Sequence, residues 1–80
     1  MIIEIYGSNC IKCERLHRNV QNSLLETRIS AEVREVNDPD ELTAIGVTTI
    51  PTLIIDGQIV SKGRIVSIKE LNVILKGFQS

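Results

Sequence analysis

The sequence predicts an α/β fold in which helices cover both faces of a four-stranded mixed sheet. Short β-branched, apolar segments alternate with segments whose apolar residues recur every three or four positions, in the order βαβαββα. Asp56 and Gly57 stand between two apolar segments and are typical of a two-residue hairpin turn. Because helices join the first strand to the second and the second to the third, we expect right-handed crossovers and parallel pairing of these strands.

The first strand and the first helix are predicted on either side of a turn. Residues 2–6 (IIEIY) form a short apolar run typical of a buried strand. The three residues that follow favour a turn: Gly7, Ser8 and Asn9. A helix is predicted over residues 11–27, with an apolar stripe formed by Cys13, Leu16, Val20 and Leu24.

The second strand and a short second helix come next. Residues 30–36 (SAEVREV) are typical of a strand. Asp38 is a suitable N-cap for the helix, Pro39 suits its first position, and Glu41 would complete a capping box with Asp38. Gly46 predicts the end of this helix, as a glycine in the left-handed conformation.

The chain is predicted to finish with a hairpin and a third helix. The hairpin occupies residues 52–61 (TLIIDGQIVS), and the helix residues 67–77 (SIKELNVILKG). Ser67 and Glu70 form a capping box at the start of this helix. Its apolar stripe consists of Ile68, Leu71, Ile74 and Leu75.

Composition limits the classes of function. The chain has 80 residues, and we expect a single domain over residues 1–80. The net charge is −1 with both signs mixed along the chain, whereas proteins that bind nucleic acid usually carry a basic stripe. The apolar runs are too short to span a membrane, and no signal peptide is visible. We therefore expect a cytoplasmic monomer that binds neither nucleic acid nor membrane.

The two cysteines of the chain, Cys10 and Cys13, are separated by two residues at the start of the first predicted helix. In a reducing compartment such a pair is seldom structural, and its disulfide would close a loop too small to add much stability. A helix N-terminus favours a thiolate and commonly lowers the pKa of a cysteine to about 7 or below. We expect Cys10 to be the exposed nucleophile and Cys13 the buried resolving thiol. Lys12, between them, can stabilise the thiolate further.

The alternative for these cysteines is a metal site. Structural zinc requires four ligands, and this chain supplies two cysteines and one histidine, His17, four residues beyond Cys13. A single histidine on a helix is more often a surface residue than a ligand. A carrier of a soft metal that binds through the two thiolates is the second hypothesis for function. Such carriers usually have the order βαββαβ and a methionine shortly before the first cysteine, whereas the only methionine here is Met1.

A second motif follows about 40 residues later. Ile50, Pro51 and Thr52 stand between the second helix and the Asp56-Gly57 hairpin. A Cys-x-x-Cys at the start of the first helix, followed by Ile-Pro-Thr before an apolar strand, resembles the thioredoxin superfamily. The resemblance covers the whole chain and is to the minimal thioredoxin fold, a compact form that glutaredoxins share. It is strongest for the small prokaryotic redox-active disulfide proteins, which have Gly-x-x-Cys-x-x-Cys and a Gly-Arg segment before the last helix; here these are Gly7 to Cys13 and Gly63-Arg64.

The resemblance implies a substrate-binding site. Pro51 would be a cis-proline opposite the cysteines, Ile50 the residue whose backbone pairs with the substrate, and Thr49 the neighbour that faces the thiols. Gly63 stands where glutaredoxins have a Gly-Gly pair that holds glutathione. The dipeptide between the cysteines, Ile11-Lys12, differs from the Gly-Pro of thioredoxins and the Pro-Tyr of glutaredoxins.

The resemblance also implies a function. Glu4 lies six residues before Cys10, at the spacing of the buried acid of thioredoxins, and is a candidate proton relay with a raised pKa as its signature. The sequence therefore predicts a thiol-disulfide oxidoreductase that reduces disulfides of a partner protein or small molecule. A cognate disulfide reductase would regenerate the dithiol, and no bound cofactor or metal is needed.

Overall fold

The structure is a computed structural model that describes residues 1–7, 10–46 and 49–79. The order of its elements is the predicted one: β1 (Ile2–Tyr6), α1 (Ile11–Thr27), β2 (Glu32–Val36), α2 (Pro39–Ala44), β3 (Thr52–Ile55), β4 (Gln58–Lys62) and α3 (Ile68–Gln79). The turn predicted at Ser8 and Asn9 lies outside the described residues.

The four strands form one mixed sheet in the order β2-β1-β3-β4. β1 and β2 are parallel, as predicted, and β3 and β4 form the predicted antiparallel hairpin. The parallel pairing predicted for β2 and β3 is wrong. β3 lies on the other side of β1 and runs antiparallel to it, with Tyr6 opposite Thr52 and Ile3 opposite Ile55.

The short second helix explains this difference. A parallel connection must return the chain along the full length of the sheet, about 16 Å for a five-residue strand. α2 has six residues and, at 1.5 Å per residue, advances the chain by only about 9 Å. β3 therefore starts at the edge of the sheet where β1 ends, and this reverses its direction.

Several element ends also differ from the prediction. β2 begins at Glu32 rather than at residue 30, and α3 begins at Ile68 and continues past Gly77 to Gln79. At α2, the Asp38 carboxylate accepts a hydrogen bond from the N–H of Asp40 at 2.9 Å, one residue earlier than a capping box with Glu41 requires. The predicted Ser67 cap is present, because its hydroxyl accepts a hydrogen bond from the N–H of Glu70 at 3.2 Å.

The hairpin turn has the predicted geometry. Asp56 and Gly57 have φ angles of 48° and 81°, both in the left-handed region that a type I′ turn requires. The Asp56 carboxylate also accepts a hydrogen bond from the N–H of Ile2 at 2.8 Å, which ties the turn to the start of β1. An irregularity in the β3–β4 register between Leu53 and Ile54 was not predicted.

The main core lies between one face of the sheet and the helices α1 and α3. Its fully buried members include Ile3, Ile5, Leu16, Val20, Leu53, Ile55, Val66, Leu71 and Leu75. The α1 stripe differs from the prediction at its C-terminal end, where Ser23 is fully buried and Leu24 only half-buried. The Ser23 hydroxyl donates a hydrogen bond to Oδ1 of Asn72 on α3 at 2.5 Å, so a polar pair links the two helices.

The opposite face of the sheet is buried as well. Tyr6, Thr52 and Ile54 point to this face and are at most 8% exposed. Glu41 of α2 is close enough to Tyr6 for its charge to raise the pKa of the tyrosine, in agreement with a position of α2 on this side. Helices on both faces of a four-stranded mixed sheet confirm the predicted fold class. None of the helices in the described part of the chain has the length and hydrophobicity to cross a membrane.

Candidate active site

Cys10 and Cys13 form a disulfide at the N-terminus of α1, with 5.2 Å between their α-carbons. Cys10 is the N-cap residue, in an extended conformation with φ −138° and ψ 151°. Its Sγ accepts a hydrogen bond from the N–H of Cys13 at 3.0 Å. Cys13 is only 4% exposed, whereas Cys10 is half-buried. The two sulfurs therefore differ in access although they are bonded to each other.

Backbone hydrogen bonds explain why the helix begins at this point. The N–H of Gly7, directly after β1, donates to the carbonyl of Val36 on β2 at 2.8 Å. The carbonyl of Cys10 accepts the first helical hydrogen bond, from the N–H of Glu14 at 3.1 Å. Cys10 is thus held at the end of the sheet, with the free N–H groups and partial positive charge of α1 directed at its sulfur.

The predicted substrate-binding segment, residues 49–51, precedes β3. Thr49 and Ile50 are exposed, Pro51 is buried, and the Ile50–Pro51 peptide bond is cis. The Thr52 hydroxyl donates a hydrogen bond to the carbonyl of Thr49 at 2.7 Å. Because Thr52 is only 1% exposed, this bond fastens the segment to the core. The sequence analysis assigned no function to the Thr52 side chain. Its hydrogen bond could have been predicted, because a threonine at the start of a buried strand often bonds the backbone of a residue three positions earlier.

Gly63, directly after β4, contacts the same segment. Its N–H donates to the carbonyl of Pro51 at 2.7 Å, and its φ is +71°. A β-carbon on Gly63 would lie 2.6 Å from Cγ2 of Thr49, closer than non-bonded carbon atoms approach. Gly63, predicted to bind substrate, therefore packs against Thr49 and Pro51 and uses its own N–H to hold the loop.

Gly7 brings the loop and the disulfide together. A β-carbon on Gly7 would lie 2.8 Å from the Cβ of Ile50 and 3.1 Å from the Sγ of Cys13. Gly7 is buried and has a φ of +125°, a conformation that strains other residues. Sequence reasoning placed Gly7 only in a turn and in the Gly-x-x-Cys motif. Its contact with two distant parts of the chain depends on the tertiary fold.

Glu4 is half-buried on the face of the sheet that carries Tyr6. Its carboxylate accepts a hydrogen bond from the Tyr6 hydroxyl at 3.2 Å. Burial raises the pKa of Tyr6, and the charge and hydrogen bond of Glu4 raise it further; Glu41 acts in the same direction and Arg34 opposes it. Glu4 therefore has a buried polar partner, the hydroxyl of Tyr6, on the same face of the sheet.

Two further residues of α1, Lys12 and His17, were considered from the sequence as a cation near the thiolate and as a metal ligand. Lys12 is exposed on the first turn. His17 pairs with Glu35 of β2, so its ring links α1 to the edge of the sheet. Among residues 1–7, 10–46 and 49–79, no three side chains of histidine, cysteine, aspartate or glutamate come together as a metal site would require.

Comparison with known proteins agrees with this geometry. The sequence model of the thioredoxin domain family matches residues 1–76. The chain is 35% identical to a thioredoxin of Methanothermobacter thermautotrophicus over 75 residues, which cover 94% of this chain and 97% of that protein. It is also 35% identical to a thioredoxin of Methanocaldococcus jannaschii over 78 residues, 98% of this chain and 90% of that protein.

Solved structures show the same fold. Thioredoxin 1 of Thermosipho africanus superposes with a TM-score of 0.65 at 27% identity, over 99% of this chain and 96% of that one. A structure described as a malarial protein superposes with a TM-score of 0.70 at 16% identity, over 95% of this chain and 93% of that one.

The fold and the paired cysteines at the start of α1 define a thiol-disulfide oxidoreductase. The chain belongs to the thioredoxin domain family.

Proposed function

We propose that this protein reduces disulfide bonds in partner proteins, with Cys10 as the nucleophile and Cys13 as the resolving thiol. The observation that carries the proposal is the hydrogen bond from the Cys13 N–H to the half-buried Cys10 sulfur, with the Cys13 sulfur buried behind it. An N–H donor and the helix N-terminus stabilise negative charge on sulfur. These features favour attack by Cys10 and reserve Cys13 for the second step.

The reaction consists of two exchanges. The Cys10 thiolate attacks one sulfur of the substrate disulfide, forms a mixed disulfide and releases the other substrate sulfur as a thiolate, which takes up a proton. Cys13 then loses its proton and attacks the Cys10 sulfur. This step forms the Cys10–Cys13 disulfide and releases the second substrate thiol. The substrate gains two electrons and two protons, and the protein loses them.

The substrate surface in this proposal surrounds Cys10. Ile50 pairs its backbone with an extended substrate segment, beside Thr49 and the buried Pro51, and Gly63 holds this loop in place through Pro51. Ile11, the residue after Cys10, is 69% exposed. Ile50, which packs beside Gly7 as the Cys13 sulfur does, is 43% exposed, so exposed apolar residues lie close to the disulfide. Exposed apolar residues around a reactive group favour a protein substrate over a small charged thiol.

Glu4 and Lys12 have auxiliary functions in the proposal. Glu4, supported by the hydrogen bond from Tyr6, accepts the proton that Cys13 loses. Lys12 adds positive charge near the Cys10 thiolate from its exposed position on α1.

The proposal extends to the cellular setting. The chain acts as a single-domain, cytoplasmic monomer without a bound cofactor or metal, and binds neither nucleic acid nor membrane. A cognate disulfide reductase supplies its electrons. The near-neutral charge of −1 supports the part of this proposal that concerns nucleic acid, since proteins that bind nucleic acid usually carry a basic stripe.

Reduction of insulin by dithiothreitol, with the protein as catalyst, tests the proposal. We expect Cys10→Ser to abolish catalysis. Cys13→Ser should also lose turnover. Reduced Cys13→Ser that has been freed of dithiothreitol and mixed with insulin should accumulate one mixed disulfide per protein molecule, detected by mass spectrometry after acid quenching. The two variants differ from wild type by one atom each and control for each other. Mixed disulfides on Cys13 in the Cys10→Ser variant would show that the two assignments are reversed.

A further inference from the structure

We infer that Gly7 is a positioning residue for the second step of the reaction, because it holds the Ile50 loop against the sulfur of Cys13. The inference rests on the proposed function. It extends that function to a residue outside the Cys-x-x-Cys and Ile-Pro-Thr motifs.

The first observation is a close approach of three parts of the chain. Cβ of Ile50 and Sγ of Cys13 both lie within 3.1 Å of the position that a Gly7 β-carbon would occupy. Cγ2 of Ile50 lies within the same distance. Non-bonded carbon atoms are comfortable at about 3.5–4.0 Å, so this space has room for a glycine hydrogen and for no methyl group.

The second observation is that two of these parts, Gly7 and the Ile50 loop, are anchored independently of each other. The N–H of Gly7 donates a hydrogen bond to the carbonyl of Val36 on β2 at 2.8 Å. The Ile50 loop is fastened through Thr52 and through the Gly63–Pro51 hydrogen bond. These hydrogen bonds restrict the movement of Gly7 and of the loop. A side chain on Gly7 would therefore have to displace Ile50, Cys13 or both.

The consequence concerns the mixed disulfide. A substrate segment paired with Ile50 places its sulfur on Cys10, and Cys13 must then attack Cys10 from the opposite side. This attack requires a fixed distance between the Ile50 loop and the Cys13 sulfur, which is the distance that Gly7 sets. A displacement of roughly 0.7 Å is needed to relieve a contact of 2.8 Å. Misplacement of reacting groups by about 1 Å can slow a reaction by about a hundredfold, so a shift somewhat smaller than this should still slow the second step measurably.

The test measures the lifetime of the mixed disulfide in a single turnover. Reduced protein is mixed with a peptide that contains one internal disulfide, quenched with acid at successive times and weighed by mass spectrometry. In Gly7→Ala we expect the mixed disulfide to persist at least about tenfold longer than in wild type. Gly57→Ala is the matched control, since Gly57 also has a positive φ, +81°, but has no atom within 4 Å of its β-carbon position; its mixed disulfide should decay at the wild-type rate.

Ile50→Gly provides the second arm, because it removes the Ile50 atoms nearest to Gly7. The effect of Gly7→Ala on the lifetime should be at least threefold smaller in the Ile50→Gly background than in the wild-type background, as expected for residues in contact. The inference would be overturned if Gly7→Ala lengthened the lifetime of the mixed disulfide equally in the wild-type and Ile50→Gly backgrounds. It would also be overturned if this lifetime in Gly7→Ala were within about twofold of that in wild type.

Two further outcomes are also decisive. If Gly7→Ala alone does not fold, the inference requires Gly7→Ala/Ile50→Gly to fold, since the closest contact is then absent. A double variant that also fails to fold would mean that Gly7 supplies a backbone conformation only, and the inference would be wrong. If wild-type protein forms no mixed disulfide at all, the proposed function itself fails, and this result is distinct from every outcome for Gly7.

Discussion

Cys10 and Cys13 are chemically identical residues that lie in different surroundings. Cys10 caps α1, is half-buried and accepts an N–H hydrogen bond, whereas Cys13 is 4% exposed within the helix. Solvent access and stabilisation of a thiolate therefore both favour the sulfur of Cys10 over that of Cys13. This asymmetry was predicted from the sequence, because both a helix start and the spacing of two residues can be read from the chain.

The asymmetry predicts different rates of alkylation in the reduced protein. At pH 7 we expect iodoacetamide to modify Cys10 at least about tenfold faster than Cys13, and Cys10 to titrate below the ordinary thiol pKa of about 8.5. Peptide mass spectrometry after timed quenching measures both rates. Cys13→Ser and Cys10→Ser assign each rate to one sulfur. Equal rates for the two thiols would contradict the account of the helix start.

Tyr6 is the only tyrosine of the chain, which has no tryptophan, so its ionisation can be followed directly by ultraviolet absorbance. Burial and the neighbouring Glu4 raise its pKa, so we expect its titration midpoint above the ordinary value of 10.0. Glu4→Gln removes one of the charges responsible and should lower the midpoint. Glu14→Gln, which removes a carboxylate from α1 on the other face of the sheet, should leave it unchanged. A midpoint at or below 10.0 in the wild type would contradict the burial of this hydroxyl.

The raised pKa of Tyr6 also predicts how stability depends on pH. The folded state holds the Tyr6 proton more tightly than the unfolded state, so this contribution to stability is fully present below pH 10.0. It is lost progressively as the pH rises above that value, through the higher pKa of the folded state. Urea unfolding between pH 8 and 11 measures the effect. Tyr6→Phe should show a smaller decline than wild type over this range, and an equal decline would rule Tyr6 out as its cause.

At the scale of elements, the helices and the hairpin were the most predictable parts. α1 begins and ends as predicted, at Ile11 and Thr27, because its cap and apolar spacing are local features. The pairing of β3 with β1 was not predicted, because strand direction depends on the length of chain that α2 covers. Ser23 was not predicted as a core residue, because its burial depends on the approach of α3.

The contact between α1 and α3 can be tested through Ser23. Ser23→Ala removes the hydroxyl that donates to Asn72 in a fully buried position. Although alanine is the better helix former, we expect the free energy of unfolding to fall by about 1–2 kcal/mol. Urea unfolding measures this change. Gln21→Ala, at an exposed position two residues earlier, should change stability by less than about 0.5 kcal/mol. Equal stability of Ser23→Ala and wild type would show that the polar pair does not hold the helices together.

At the scale of the whole molecule, the sheet brings together residues that are far apart in the sequence. At the end of β1, Gly7 contacts both Cys13 and Ile50. The N–H of Gly63 donates a hydrogen bond to the carbonyl of Pro51, the residue after Ile50. The sequence motifs predicted the cysteines and the proline loop. They did not predict the contacts of Gly7 and Thr52, because these depend on the register of β1 with β3 and on the path of the chain after α2. The positions of the motif residues in the fold were therefore predictable, whereas the contacts that Gly7 and Thr52 make with them were not.

The central claim is that Cys10 and Cys13 form a reversible two-electron couple, and its redox potential is the most direct test. Metal-free protein is equilibrated in dithiothreitol buffers of graded potential, and the free thiols are counted by alkylation and mass spectrometry. The account predicts a single transition in which both thiols are lost together within one chain, near the thioredoxin value of about −270 mV. Metal-free protein that forms no internal disulfide at any potential would contradict it, and so would purified protein that holds zinc or copper tightly through both thiols.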